Sequence, residues 1–388
     1  MIYDVIITGA GIAGLNAAVK LSRNGMKVCV VDRRSTIGWP VRCGEATGTV
    51  KELSRFIEID SSCIARQIDA LEIQINGAPM FKREIPEAGV ILNRDKLEQK
   101  MADIACSQGA LLLLNKLVTG LSEGQNGWDG VILEHGKKLE GRFIIGADGP
   151  ESKIGQWAGI TRPLTLDEAG SAVEYTLNTD AYDDHCLHFF TGSREIPSGY
   201  IWVFPKGNGR ILVGGILYGC SRSCRKVQHY VDAFIEKKFP NVKKHSMITG
   251  CAPITVSPKV LHRSNVLVAG DAGRMVNPLS SAGIMNAFES SDLAADCILC
   301  AAEGDQTLGR YTDRWRKQQR FQQKIFLLLK EIFLNSSDTE LESILKNGSL
   351  FFANVNRDKP FRFPLIPTSV FVMQTLPRII RYRSALFM

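Results

Sequence analysis

Three glycines, Gly9, Gly11 and Gly14, punctuate the run Thr8-Gly9-Ala10-Gly11-Ile12-Ala13-Gly14 near the start of the chain. At this spacing the backbone can turn sharply, approach a pyrophosphate closely and pack the following helix against the preceding strand. The run Lys27-Val28-Cys29-Val30-Val31-Asp32 then ends on a carboxylate where a ribose hydroxyl is expected. The chemistry is the binding of a dinucleotide. A second candidate is Cys43, between Arg42 and Gly44 in an irregular loop, where a neighbouring cation would lower the thiol pKa. Tyr200, Trp202 and Phe204 form the third: at period two they share one sheet face and make a broad aromatic wall. The same alternation fits an aromatic core stripe between two layers.

These groups need elements to hold them. Tyr3 to Thr8 reads as a strand, the glycines as a tight turn, and the run from Ile12 as a helix. Residues 68 to 92 alternate like strands, with Asn76-Gly77 as a hairpin turn. Helical periodicity runs from Arg94 to Gln108, with Asn93 as N-cap, and Leu111 to Leu114 follows as a buried strand. Gly127-Trp128-Asp129-Gly130 reads as the turn of a meander that ends in Gly146-Ala147-Asp148-Gly149. Strands return at 172 to 177, 188 to 190, and 199 to 205, and the turn Lys206-Gly207-Asn208-Gly209 makes a hairpin with 210 to 215. A helix from Arg225 to Phe239 closes this part. The strand Asn265 to Ala269 ends at Gly270-Asp271, and a loop through Pro278 opens a helix near Gly283. Beyond Gln306 the chain reads mostly helical.

The expected fold is therefore α/β: a Rossmann-like dinucleotide domain, an inserted antiparallel-sheet domain and a C-terminal helical region. The first is discontinuous, over 1–60, 93–160 and 262–305; the second covers 61–92 and 161–261; the third is 306–388. At 388 residues, 45% of them hydrophobic and 22% charged, the chain is an ordinary globular one of several domains. The net charge of +7 is concentrated in the tail, where fourteen Lys and Arg face six Asp and Glu from Gln306 to Met388. No segment reaches the roughly 18 apolar residues of a spanning helix. Cys220/Cys224 and Cys297/Cys300 lack histidine partners at ligand spacing, so no metal site is expected. The scattered cysteines and immediate first strand fit a reducing cytoplasm.

The glycine turn, Gly146-Ala147-Asp148-Gly149, and Ala269-Gly270-Asp271-Ala272 with Asn277 to Ile284 together resemble the FAD-dependent group of aromatic hydroxylases and geranylgeranyl reductases, over roughly residues 1 to 300. Trp39-Pro40-Val41-Arg42-Cys43-Gly44 and Tyr200-Ile201-Trp202-Val203-Phe204-Pro205 are similar to loop and strand signatures of the geranylgeranyl reductases within it. The resemblance implies FAD as cofactor, with Asp271 near the ribityl chain and pyrophosphate and the helix from Gly283 and Ile284 facing flavin N1 and the C2 carbonyl. A helix N-terminus there stabilises negative charge on the reduced flavin. Arg94 stands where this group carries a cofactor-contacting Arg. The resemblance also puts Ala13, Arg33, Arg42, Gly44 and Asp148 at the cofactor and Cys43 beside the isoalloxazine. Tyr200, Trp202, Phe204 and Pro278 would face the substrate. Ser281-Ala282 departs from the pattern, since many members have two glycines there.

The activity implied is hydride transfer from reduced FAD to an isolated C=C bond of a prenyl chain on a lipid, quinone or pigment precursor, with Cys43 or an ordered water supplying the proton. The external reductant would be NAD(P)H or a ferredoxin. A flavin monooxygenase or halogenase shares the fold and is separated from this reading by the cysteine loop; a flavin-binding scaffold would leave the aromatic face without a purpose. Partners are a prenylated lipid-like substrate and an anionic membrane surface, with no nucleic acid. The enzyme would then lie in the cytoplasm or at the membrane's inner face. A monomer is compatible with the sequence.

Overall fold

The structure, a computed structural model, describes residues 2–352 apart from 126, 183, 220–224 and 305–307. The chain opens with β1 (Ile2–Thr8), α1 (Ile12–Arg23) and β2 (Val28–Val31). Strands this rich in Val and Ile are buried on both faces, as a parallel sheet under helices demands. After β3 (Ala46–Thr47) and α2 (Val50–Leu53) comes a long hairpin of β4 (Ile64–Ile75) and β5 (Ala78–Leu92). Its turn is Asn76-Gly77, both at positive φ as a two-residue hairpin loop requires.

The chain then forms α3 (Arg94–Ser107), β6 (Leu111–Leu113), and the meander β7 (Val118–Gly124), β8 (Gly127–Leu133) and β9 (Lys138–Gly146). The short helix α4 (Lys153–Trp157) leads to β10 (Ala169–Asn178), β11 (Cys186–Gly192), β12 (Ile196–Pro205) and β13 (Arg210–Tyr218). Next are α5 (Val227–Lys238), β14 (Lys244–Pro253), β15 (His262–Arg263) and β16 (Val266–Val268). Three helices follow: α6 (Ile284–Ala302), α7 (Leu308–Asn335) and α8 (Asp338–Phe352).

Two eight-stranded sheets organise these elements. In the first, β16, β9, β1, β2 and β6 run parallel in that order, with β15 and the β7–β8 pair added antiparallel. The second has the order β14-β10-β13-β12-β11-β4-β5-β3, antiparallel except where β11 meets β4. The largest core lies between the first sheet and α1, α3 and α6, and Tyr311 and Trp315 of α7 are sunk into it. Further along α7, Phe333 and Leu334 pack on the aromatic face of the second sheet.

Several local expectations change. Trp128-Asp129-Gly130 lies inside β8 rather than in a turn, because Gly124 already pairs with Gly127 and the Asn265 side chain holds both backbone groups of Trp128. Asn93 does not cap α3: its amide donates to Ser62 O and Ile64 O, and Glu45 Oε1 accepts from Arg94 N at 2.9 Å instead. The strand at 111–113 is an edge strand with Leu111 exposed, not a buried one. The helix expected from Arg225 starts at Val227. Residues 353–388 of the basic tail, and the pair Cys220/Cys224, lie outside the described residues. Among the described residues no helix is long and apolar enough to cross a membrane.

Candidate active site

Each glycine of the first turn has a different surrounding. A Cβ on Gly9, whose φ is +98°, would stand 2.2 Å from Ala147 O, and one on Gly14 would stand 1.9 Å from Gly9 O. These two let β1, β9 and α1 come together. Gly11 is different: among the described residues beyond its chain neighbours, a Cβ there meets only Arg94 Nη2, at 3.9 Å, so the space before it is open. Gly11 is also the N-cap of α1, with no side chain satisfying the helix's first N–H groups. An open cradle under uncapped donors is what a pyrophosphate fits. The methyl of Ala13 is 3.1 Å from where a Cβ on Gly270 would be.

Asp32 Oδ2 accepts from Ala10 N at 2.6 Å, and Oδ1 accepts from Arg34 N at 2.7 Å. Burial works against its charge, but the Arg34 side chain and these N–H groups outweigh it and hold the carboxyl below its ordinary value. Arg33 is exposed; Arg34 is the arginine that pairs with Asp32, at 3.0 Å. Arg34 also faces Glu98 at 3.5 Å, and Glu98 accepts from Arg94 Nε at 2.8 Å. A chain of alternating charge thus runs from Asp32 to Arg94 through a Glu98 that is 1% exposed. Buried charges persist when paired in this way.

At the other end, Asp271 sits in a helical turn (270–273) with Oδ1 3.1 Å from where a Cβ on Gly283 would be. Burial pushes its carboxyl up, and Arg94 pulls it down. Gly283 caps α6 without a side-chain hydrogen bond, and buried Ile284 begins the helix. The 19-residue α6 therefore directs unsatisfied N–H groups and its positive end toward this space. In the loop before it, Ser281 has φ 56°, a conformation natural to glycine, and its buried Oγ has no partner among the described residues. Asp148 is occupied within the protein, its carboxyl accepting from Ser152 Oγ and from the N–H groups of Lys153 and Ile154 at the start of α4.

The aromatic wall joins these two ends. Tyr200, Trp202 and Phe204 share one face of β12, with centroids 5.9 and 6.2 Å apart in succession. Tyr200 donates to Ser280 O at 2.6 Å, and Tyr218 of β13 donates to Leu279 O, so the wall grips the loop around the buried Pro278. Gly44 packs on it: a Cβ there would lie 3.0 Å from Phe204 Cε2 and 3.2 Å from Trp202 Nε1. Trp202 Nε1 donates to Glu174 Oε2 at 2.8 Å.

Cys43 is part-buried beside this contact and accepts from Glu45 N at 3.2 Å. The expectation of a lowered thiol pKa is overturned. Burial pushes the thiol up, and the opposing cation is Arg94 from α3, not the neighbouring Arg42, which is exposed. Glu45 anchors the loop through Lys206 Nζ at 2.5 Å, and Lys206 also donates to Leu92 O.

The structure thus brings Gly11, Asp32, Arg94, Asp271, Gly283, Cys43, Gly44 and the wall into one continuous site, and leaves Arg33, Arg42 and Asp148 outside it or otherwise engaged. The sequence reading missed Arg34, Glu98, Glu45, Lys206 and Glu174. Only Glu98 carried a local signal, as a helical neighbour four residues after Arg94. One group with metal-ligand residue types occurs among the described residues, Glu72, Cys186 and His188, on the other face of the second sheet. There His188 stands between Glu72, at 3.2 Å, and Asp184, at 3.0 Å.

A nucleotide cradle, two uncapped helix ends and a thiol between an arginine and an apolar wall define an FAD-dependent oxidoreductase. Residues 168–254 match the family described as geranylgeranyl reductase catalytic domain, and residues 4–196 match glucose inhibited division protein A. A digeranylgeranylglycerophospholipid reductase of Methanosarcina acetivorans is 34% identical over 358 residues, 88% of each chain. That of Methanosarcina mazei is 33% identical over 88% of this chain and 87% of its own. A geranylgeranyl bacteriochlorophyll reductase-like protein from Thermoplasma acidophilum superposes with a TM-score of 0.84 at 25% identity, over 99% of both chains. A probable FAD-dependent monooxygenase from Pseudomonas aeruginosa shares the fold, with a TM-score of 0.68 at 16% identity over 90% of this chain and 100% of that one. The chain belongs to the geranylgeranyl reductase family of FAD-dependent oxidoreductases.

Proposed function

We propose that this enzyme saturates isolated C=C bonds in the prenyl chains of a glycerophospholipid-type substrate. The observation that carries the reading is the contact of the Cys43-Gly44 loop with the Trp202–Phe204 wall, directly beside the Gly11–Arg94 cradle. FAD, when bound and reduced, supplies the hydride. The protein's residues do the rest. Tyr200, Trp202 and Phe204 hold the apolar chain in line and keep water out, and Cys43, whose raised pKa keeps it a thiol at neutral pH, holds the proton for the second carbon. An isolated alkene has no carbonyl to polarise, so no electrophilic cluster is needed. We divide the chain into cofactor-binding, substrate-binding and C-terminal parts as read from the sequence. The flavin is re-reduced by NAD(P)H that binds only transiently or by a ferredoxin; the turn at 206–209 joins β12 to β13 and opens no helix for a second nucleotide. The basic C-terminal region places the enzyme on an anionic membrane at its cytoplasmic face.

Reduced enzyme is to be incubated separately with an unsaturated ether-type prenyl glycerophospholipid, a prenyl quinone and a prenylated chlorophyll precursor, and products weighed for added pairs of hydrogens. Saturation of the lipid chains is expected. Oxygen-dependent hydroxylation with no saturation would replace this reading with the monooxygenase one.

A further inference from the structure

Glu174 on β10 lies across from Gly214 of β13, and Gly214 lies across from Trp202 of β12. With no side chain at 214 the indole lies over that position, where a Cβ would be 2.2 Å from Cζ2. Nε1 thereby reaches past the intervening strand to the Glu174 carboxyl, which is 6% exposed. Among the described residues no salt bridge reaches Glu174: Lys206, the cation that acts on it, is engaged by Glu45 Oε2 and Leu92 O. The titratable groups facing it are Cys43 and Glu45 from the loop and Lys206 from the β12–β13 turn. Its other strand neighbour, on β14, is Ile248. Burial, with the charge of Glu45 adding to it, pushes the carboxyl up to about 8, against the Trp202 N–H and Lys206. At neutral pH it is largely a carboxylic acid.

We infer that Glu174, held by Trp202, is the proton reservoir behind Cys43 and returns a proton to its sulfur in each turnover. The inference rests on the prenyl-reductase reading. Hydride and the thiol proton add to the two alkene carbons; the π bond breaks, two C–H bonds form, and the flavin is oxidised. The S–H bond breaks, leaving a thiolate that faces Arg94. The Glu174 O–H bond then breaks as S–H re-forms, and the carboxylate regains its proton from solvent.

The test uses the pre-reduced holoenzyme, as parent and as Glu174→Gln, with alkene reduction followed from pH 6 to 9. Gln keeps an acceptor for the indole N–H but carries no transferable proton. The parent is expected to lose activity as pH rises past Glu174's pKa. The variant should keep its flavin and its rate of flavin reduction, should reduce the alkene at least about tenfold more slowly at pH 7, and should lose that limb of the profile. Melting of the holoenzyme supplies a readout apart from activity. Because the folded pKa is raised, the parent loses stability as pH climbs from the unfolded value toward the folded one, so Glu174→Gln should gain melting temperature over the parent at pH 8 but not at pH 4. A variant with parental rate and profile overturns the inference. Should the variant not fold, a parent profile that is flat or rising from pH 7 to 9 also overturns it. A parent that saturates no prenyl chain overturns the functional reading, and this one with it.

Discussion

Gly11 and Arg94 face each other across open space: beyond its chain neighbours, Arg94 Nη2, at 3.9 Å, is the one heavy atom among the described residues within 4 Å of a Cβ placed on Gly11. The opening has no packing duty in the protein alone. Gly11→Val should therefore abolish flavin binding while changing the melting of the flavin-free protein little. Gly14→Ala, whose methyl would collide with Gly9 O, should destabilise the fold itself by about 1–3 kcal/mol. Flavin absorbance per protein, measured beside thermal melting, separates the two. Full flavin occupancy in Gly11→Val would remove the cofactor from this turn.

Cys43→Ala should bind FAD normally and slow alkene reduction more than flavin reduction, because the lost group holds a proton and not the cofactor. General acids of this kind contribute roughly 10²–10⁴-fold. The raised pKa has its own signature: near pH 7 an alkylating reagent should label the exposed Cys106 and Cys251 before Cys43. Labelling of Cys43 first would show a thiolate and contradict the burial argument.

Tyr200→Phe removes the hydrogen bond to Ser280 O and keeps the ring of the wall. A lost bond of this type costs about 0.5–1.5 kcal/mol. Its effect should fall on the loop before α6, as weaker flavin binding, more than on capture of the prenyl chain. Titration with FAD, beside the KM for lipid, would show which of the two moves.

Much of the fold was legible because its signals are local. Asn76-Gly77 makes a hairpin turn wherever it occurs between alternating strands, and Gly9, Gly11, Gly14 and Asp32 lie within one strand–helix–strand unit. What was missed depends on distant partners. Arg34 has a local partner in Asp32, but its second contact, with Glu98, exists only because α3 folds back onto it. Glu174 reads as the solvent side of a half-buried strand, since Val173, Tyr175 and Leu177 claim the other face. It is buried because Trp202 and the cysteine loop close over it. The meander turn failed for a similar reason, because Asn265, far along the chain, holds Trp128 in strand conformation.

The tail prediction is electrostatic. With an excess of eight positive charges from Gln306 to Met388, the full chain should co-sediment with anionic vesicles more than with neutral ones. Each Lys or Arg near such a surface contributes about 1 kcal/mol, screened over about 8 Å at physiological ionic strength. Binding should therefore fall with added salt and on truncation near Asn356. Equal binding to both vesicle types would sink the proposed attachment.

Gly214 contributes no side-chain atom to the site, yet it sets how low the Trp202 ring sits in the aromatic wall. The indole of Trp202 lies in the slot that a methyl at 214 would fill. Any larger residue there must lift the ring toward Gly44, whose own Cβ position is already 3.2 Å from Nε1. Which chain shapes the enzyme accepts is thus adjustable from behind the wall, by a substitution that never meets the lipid.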